Sequence, residues 1–129
     1  MSPPHDAVRG LIQRYARAVD QRDIDGLVEL FHPDAEIAGA GGVQSLEEWL
    51  DTMRAPRAFP SSMHMIGEPL ITGEAEAEEV AVDTYAVVYQ LGHEGSGDLT
   101  LGIRYLDDVV LYRGRWLFRR RTSHTLWMR

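Results

Sequence analysis

The stretch Leu101-Gly102-Ile103-Arg104-Tyr105-Leu106-Asp107-Asp108-Val109-Val110-Leu111-Tyr112-Arg113-Gly114-Arg115-Trp116-Leu117-Phe118 is rich in β-branched and aromatic residues and is broken by Arg113-Gly114, a pair suited to a tight turn. It reads as the meeting of two strands, about 98–112 and about 115–127. Working outward, a Gly-rich loop at 92–97 leads back to a strand over about 78–91. A turn at 73–76 leads from there to a further strand over about 63–72. Four strands in a row, joined by short turns, predict an antiparallel meander.

Before Pro60 the rhythm is helical. Val8, Leu11, Ile12, Tyr15 and Val19 recur at the i, i+3, i+4 spacing that buries one face of a helix, which predicts a helix over 6–20 with Asp6 as its N-cap. Asp23 is positioned to cap a short second helix containing Ile24, Leu27, Val28 and Phe31, with Pro33 ending it. A short extended piece at 35–38 and a flexible Gly39-Ala40-Gly41-Gly42 follow. Ser45 and Glu48 then form a capping-box pattern ahead of Leu46, Trp49, Leu50 and Met53, a third helix that stops near Ala55 before Pro56. Residues 54–62, with two prolines, read as a loop. Helices segregated from strands predict an α+β fold: three N-terminal helices packed on a curved antiparallel four-stranded sheet with a short extra strand. A curled sheet closed by helices makes a cone-shaped barrel with an internal pocket.

The 129 residues form one predicted domain over 1–129, large enough to bury about two-thirds of the unfolded surface. Thirteen Lys and Arg against twenty Asp and Glu leave a net charge of −7, which argues against nucleic acid and against anionic lipid as partners. The absence of cysteine excludes disulfides, iron–sulfur clusters and thiol nucleophiles. No apolar run approaches the ~18 residues of a membrane span, and the start of the chain lacks the basic and apolar segments of a signal peptide. A cytoplasmic protein is expected.

Glu68, Glu74, Glu76, Glu78, Glu79 and Asp83 form an acidic stretch, and Arg113, Arg115, Arg119, Arg120, Arg121 and Arg129 a basic one, read as pairing across a solvated sheet face. Strand alternation turns Arg120 away from Arg119 and Arg121, so one face could present an arginine to a pocket or a partner. The five histidines are scattered, and neither a metal ligand set nor a phosphate-binding glycine motif is present, so no metal and no cofactor are expected. Two residues stand out for chemistry. Asp20 ends the first helix, where the dipole disfavours a carboxylate, and His64 opens a strand among Met63, Met65 and Ile66.

The stretch from Ile12 through Val19-Asp20-Gln21-Arg22-Asp23-Ile24-Asp25-Gly26-Leu27 to Leu30-Phe31-His32-Pro33-Asp34-Ala35-Glu36-Ile37 resembles the opening of the nuclear transport factor 2-like superfamily. Gly102-Ile103-Arg104-Tyr105-Leu106-Asp107 followed by Arg113-Gly114-Arg115-Trp116-Leu117-Phe118 resembles its SnoaL-like branch. Superfamily members of the scytalone dehydratase and dehydrochlorinase type share an aspartate–histidine dyad. The resemblance places the aspartate at Asp20, ahead of Asp23-Ile24-Asp25, and the histidine at His64 within Met63-His64-Met65-Ile66-Gly67. It implies a cofactor-independent dehydratase or isomerase acting on a small hydrophobic molecule of polyketide, terpenoid or aromatic type, with His64 as general base or acid, Asp20 as its orienter and Tyr15 hydrogen-bonding a substrate oxygen.

Departures from those members matter too. The scytalone dehydratase tyrosine before the aspartate is Val19 here, and its second histidine falls near Gln90. The dehydrochlorinase lysine is replaced by Tyr15, and its pocket arginine falls near Leu111. Ketosteroid isomerase matches at Tyr15, but its base would fall at Gly39 and its second acid near Gly102. Trp49, Met53, Phe59, Met63, Tyr85, Gln90, Tyr105 and Trp116 are the expected pocket walls. Arg104 and Asp107, which alternation points to different faces, are read as structural. Two alternatives stand beside the dehydratase: a SnoaL-like polyketide cyclase or ring-opening enzyme using a spare carboxylate, Asp83 or Asp107, and a non-catalytic ligand-binding or accessory subunit. The resemblance also implies a homodimer formed through an open sheet face.

Overall fold

The computed structural model describes residues 3–129. Among them, three helices and seven strands follow in the order α1 (Pro3–Gln21), α2 (Ile24–Val28), β1 (Phe31–Gly39), β2 (Gly42–Ser45), α3 (Leu46–Arg54), β3 (Ser61–Ile66), β4 (Leu70–Thr72), β5 (Glu79–Leu91), β6 (Leu99–Tyr112) and β7 (Arg115–Met128). The fold is α+β, as the periodicity predicts, but the short extended piece expected at 35–38 is the longer β1, and β1 pairs with β2 to form a hairpin that precedes α3. α1 begins three residues early because proline is tolerated in a first helical turn, where the backbone N–H has no intrahelical acceptor. Asp6 is therefore an acidic residue inside the first turn and not the cap.

Asp23 does cap α2, its carboxylate accepting the Gly26 N–H at 3.0 Å. That helix ends at Val28, however, so Pro33 does not terminate it. Pro33 lies inside β1, in the interval between Phe31 and Glu36 where pairing to β7 loses its regular register, and its missing N–H breaks no ladder bond there. Gly39 to Gly42, expected to be flexible, instead closes a tight β1–β2 hairpin, with Gly39 opposite Gly42 and Gly42 at φ 96°. Both bonds of the Ser45–Glu48 capping box are formed, at 2.9 and 3.2 Å.

The sheet order is β2-β1-β7-β6-β5-β3, with β4 also paired to β5. β1 runs parallel to β7, so the sheet is mixed where an all-antiparallel one was expected. Side-chain periodicity carries no information on strand direction, which the chain path through the helices fixes. The expected strand over 63–72 is two strands, β3 and β4, separated around Pro69, which offers no donor to a ladder. β2 and β3 remain edges, so the curved sheet is not a closed barrel. At the β6–β7 turn Arg113 and Gly114 both take positive φ, 50° and 80°, the geometry that a two-residue hairpin favours.

The core lies between α1 and the inner sheet face. Val8, Leu11, Ile12, Tyr15 and Val19 are buried against a cluster that includes Phe31, Trp49, Val80, Val82, Val109 and Phe118. A smaller cluster of Ala86, Val88, Ile103 and Tyr105 continues it toward the other end of β5 and β6. Fully burying one such aliphatic or aromatic side chain contributes about 1.5–3 kcal/mol, so the helix face and the sheet hold each other. The opposite sheet face is open and carries exposed Met63, Met65, Tyr85 and Leu106. No helix of the described residues is long and apolar enough to cross a membrane.

One irregularity positions the interior. Asp108 pairs with Arg120 but the next β6 residue, Val109, pairs with Phe118, so β7 carries one extra residue, Arg119, at this point. That bulge rephases the strand. Phe118 and Arg121, three residues apart, therefore both turn into the core, 0% and 1% exposed.

Candidate functional site

Asp20 sits in the last turn of α1, a turn without a basic side chain. Just beyond it Arg22 adopts the left-handed region at φ 58°, and Asp23 donates its N–H to the Ala18 carbonyl at 2.9 Å, so the chain turns sharply away. β3 then runs past the helix end and supplies what the carboxylate lacks. Ser62 Oγ donates to Asp20 Oδ1 at 2.8 Å, the His64 backbone N–H donates to Oδ2 at 2.9 Å, and His64 Nδ1 meets Oδ1 at 2.7 Å. Strand alternation places Ser62 and His64 on the same face of β3. The side chains of His64 and Asp20 are 8% and 20% exposed.

Burial lowers the His64 pKa below its usual value, and the Asp20 hydrogen bond and charge oppose that only in part. The imidazole is therefore neutral at pH 7. With a carboxylate at Nδ1, the proton resides on Nδ1 and donates to Asp20, which leaves the Nε2 lone pair available.

A second acid–base pair lies deeper. Arg121 Nη1 donates to Asp107 Oδ2 at 3.0 Å, and both side chains are almost wholly buried. The Arg121 guanidinium carbon lies 3.8 Å from the centre of the Tyr105 ring and 4.2 Å from that of Tyr15, which places the charge between two aromatic faces. Tyr15 in turn stands edge-on to the His64 ring at 6.5 Å, so it bridges the two pairs. Burial pushes the Asp107 carboxyl up to about 7, against the pull of Arg121, and raises the Tyr15 hydroxyl as well. Asp107 Oδ1, Arg121 Nε and Nη2, and Thr84 Oγ1 are buried without a hydrogen-bond partner.

The other expected residues divide by face. Trp49 stacks on Tyr15 at 6.1 Å, and Tyr105 is buried against Arg121, so both are interior. Met53 and Trp116 are half-buried against the main core, and Gln90 is half-buried opposite Ser62 on β5. Phe59 is half-buried and its carbonyl accepts from Arg22 Nη2 at 3.0 Å. Met63 and Tyr85 are not interior: alternation turns Met63 away from the face of His64, and the two are 52% and 63% exposed on the outer sheet. Arg104 pairs with Asp83 through two bonds of 3.0 and 2.6 Å on the outer face, while Asp107 faces inward, so the two signature residues do point oppositely.

Leu111, where the dehydrochlorinase arginine would fall, is exposed, and a buried arginine comes from Arg121 instead. The basic run and its alternation hinted at such a residue, but the Arg119 bulge that sets its phase has no local signal. Ser62 was also missed, because a serine on a strand is unremarkable until a helix end lies across it. The acidic stretch of 74–79 does not pair with the basic strand, since β6 lies between β5 and β7. Five cavities bordered by described residues, of about 260 to 460 Å³, leave Asp20 and His64 out of their walls.

Comparison with solved structures places this architecture among known relatives. A scytalone dehydratase-like protein from Novosphingobium aromaticivorans superposes with a TM-score of 0.87 at 22% identity, covering 96% of this chain and 85% of its own. A type 2 hexachlorocyclohexane dehydrochlorinase, LinA, gives 0.88 at 17% identity, over 98% and 88%. The type 3 LinA of Novosphingobium barchaimii gives 0.87 at 17% identity, over 98% and 89%. At these identities the likeness is one of fold. No curated protein matches the chain significantly. The model of the SnoaL-like domain matches residues 3–122, nearly the whole chain, which makes the protein a member of the SnoaL-like family in the nuclear transport factor 2-like superfamily, whose cone architecture it shares.

Proposed function

We propose that the protein is a cofactor-independent lyase or isomerase in which His64 moves a proton on a small hydrophobic carbonyl compound. The observation that carries this reading is the 2.7 Å contact of a neutral, buried imidazole with a carboxylate held by two further donors. The names of the similar structures, a dehydratase-like protein and a dehydrochlorinase, agree with elimination chemistry. In the favoured reaction His64 Nε2 removes a proton from the carbon next to the carbonyl. The electron pair passes to the carbonyl oxygen, near the unpartnered N–H groups of Arg121 and the hydroxyl of Tyr15. On collapse of the enolate the carbon–carbon double bond forms, the β-hydroxyl leaves, and the imidazolium proton goes with it as water. Asp20 fixes the Nδ1–H tautomer and stabilises the imidazolium. Trp49, Met53, Phe59, Gln90, Tyr105 and Trp116 are the side chains assigned to the apolar surroundings under this reading.

The test is deuterium exchange at the α-carbon of 2-tetralone in D₂O, followed by NMR. His64→Ala should lower the rate about 10²–10⁴-fold, the usual contribution of a general base, with Asp20→Asn causing a smaller loss. Equal rates for the parent protein and His64→Ala would sink the proposal.

Asp107 supports a second reading, a cyclase or ring-opening enzyme, because it is an inward-facing carboxyl raised to about 7 and able to protonate an oxygen. Under that reading Asp107→Asn, rather than His64→Ala, abolishes turnover. The homodimer belongs to the same proposal. A groove of about 430 Å³ on the outer sheet, with Met65, Tyr85 and Trp127 among its walls, is the apolar surface a second copy would cover, and light scattering reads the mass directly.

A further inference from the structure

A cavity of about 460 Å³ opens where the ends of α1 and α3 meet the loop that leads into β3. Its walls combine three guanidinium side chains, Arg22, Arg54 and Arg57, with the apolar surfaces of Ile24, Met53 and Pro60, and no carboxylate lines it. That is an unusual concentration in a chain with a net charge of −7. Arg54 is already shared with Asp51 and Glu47, at 2.9 and 3.7 Å. Arg22 and Arg57 have no carboxylate partner among the described residues, and Arg57 Nη1 is buried without any hydrogen-bond acceptor.

Arg22 shows the same bias from the backbone side. A left-handed residue closing a helix is ordinarily glycine, which adopts that region without a Cβ penalty. An arginine stands there at φ 58°, and its two Nη atoms each donate to a carbonyl, Val19 on α1 and Phe59 on the loop, both at 3.0 Å. The guanidinium is thereby locked at the cavity rim, with its charge uncompensated, two residues from Asp20.

We propose that this cavity binds the carboxylate of an organic acid with an apolar body, held by Arg22 and Arg57, with the apolar part lying on Ile24, Met53 and Pro60. A guanidinium fork matches a carboxylate with two parallel hydrogen bonds, and the apolar wall favours an arene or alkenyl carboxylate over a bare inorganic anion. That this acid is the compound on which His64 acts rests on the proposed function above; the binding site itself does not.

The test is calorimetric titration of the full chain with benzoate, with benzyl alcohol as the neutral probe of the same shape and inorganic phosphate as the bare anion. Benzoate should bind at least tenfold more tightly than either and lose affinity as salt is raised. Arg57→Gln, which removes the charge and keeps much of the length, should weaken benzoate at least tenfold with an unchanged melting temperature. Arg22→Gln should do the same; if it unfolds the chain, Arg57→Gln and the benzyl alcohol comparison decide. Benzyl alcohol or phosphate binding as tightly as benzoate, or unaltered benzoate affinity in Arg57→Gln, overturns the proposal. His64→Ala should bind benzoate normally, which separates failure of this site from failure of the dyad.

Discussion

The two inward acid–base pairs make a useful contrast. At Asp20–His64 the carboxylate lies at a helix end and accepts three hydrogen bonds, and the imidazole can shed its charge when buried. At Asp107–Arg121 the cation cannot be neutralised, one hydrogen bond joins the pair, and three of its polar atoms face no partner. The first pair is a carboxylate satisfied by three donors beside an imidazole that burial favours in its neutral form. The second is an ion pair held in the core with polar atoms left unpaired, an arrangement that costs stability.

Breaking the deep pair should produce the largest effect on stability. Arg121→Met leaves Asp107 without its cation and should cost about 3–5 kcal/mol in urea unfolding at pH 8. The loss should shrink at pH 5, where Asp107, already raised to about 7, takes up a proton. A loss that is the same at both pH values would remove the distinction drawn between the pairs.

The pairs should also tilt stability in opposite directions with pH. Asp107 has a folded pKa above its unfolded value of 3.8, so the folded protein holds that proton more tightly and stability falls as pH rises from about 4 to about 7. His64 has a folded pKa below 6.5, so the folded protein binds its proton less tightly, and stability is lost as pH drops below about 6.5. Each contributes a slope of at most about 1.4 kcal/mol per pH unit. Asp107→Asn should abolish the first and His64→Gln the second, measured as the difference in melting curves across pH 4–8. The smallest expected effect is at Ser62. Asp20 keeps two donors without it, so Ser62→Ala should cost about 1 kcal/mol and reduce α-proton exchange less than tenfold.

Asp20 and His64 each carried a local marker, a carboxylate at a helix end that ought to be neutralised and a histidine with apolar strand neighbours, but their pairing was implied only by the family resemblance. The capping residues Asp23 and Ser45 were legible from local markers as well, since a cap is a relation between residues two or three apart. The residues expected to line a pocket could not be sorted by face. Met63 and Tyr85 belong to strands rich in apolar residues on both sides, and there composition does not say which side is covered. Arg121 belonged to a basic run of which one face could present an arginine to a pocket, but its partner, Asp107, was grouped with Arg104, because near neighbours in sequence are easier to associate than partners across a ladder.

By itself, the sequence determined the three helices, the strands of the C-terminal half, the caps Asp23 and Ser45, the Arg113-Gly114 turn and the residue types available for chemistry, because each depends on interactions within a few residues. Tertiary structure decided the parallel β1–β7 pairing, the bulge at Arg119 that aims Arg121 into the core, the meeting of Asp20 with Ser62 and His64, and the gathering of Arg22, Arg54 and Arg57 at one cavity. Those arrangements join residues from separate elements, and a one-residue change in strand register reverses every side chain beyond it.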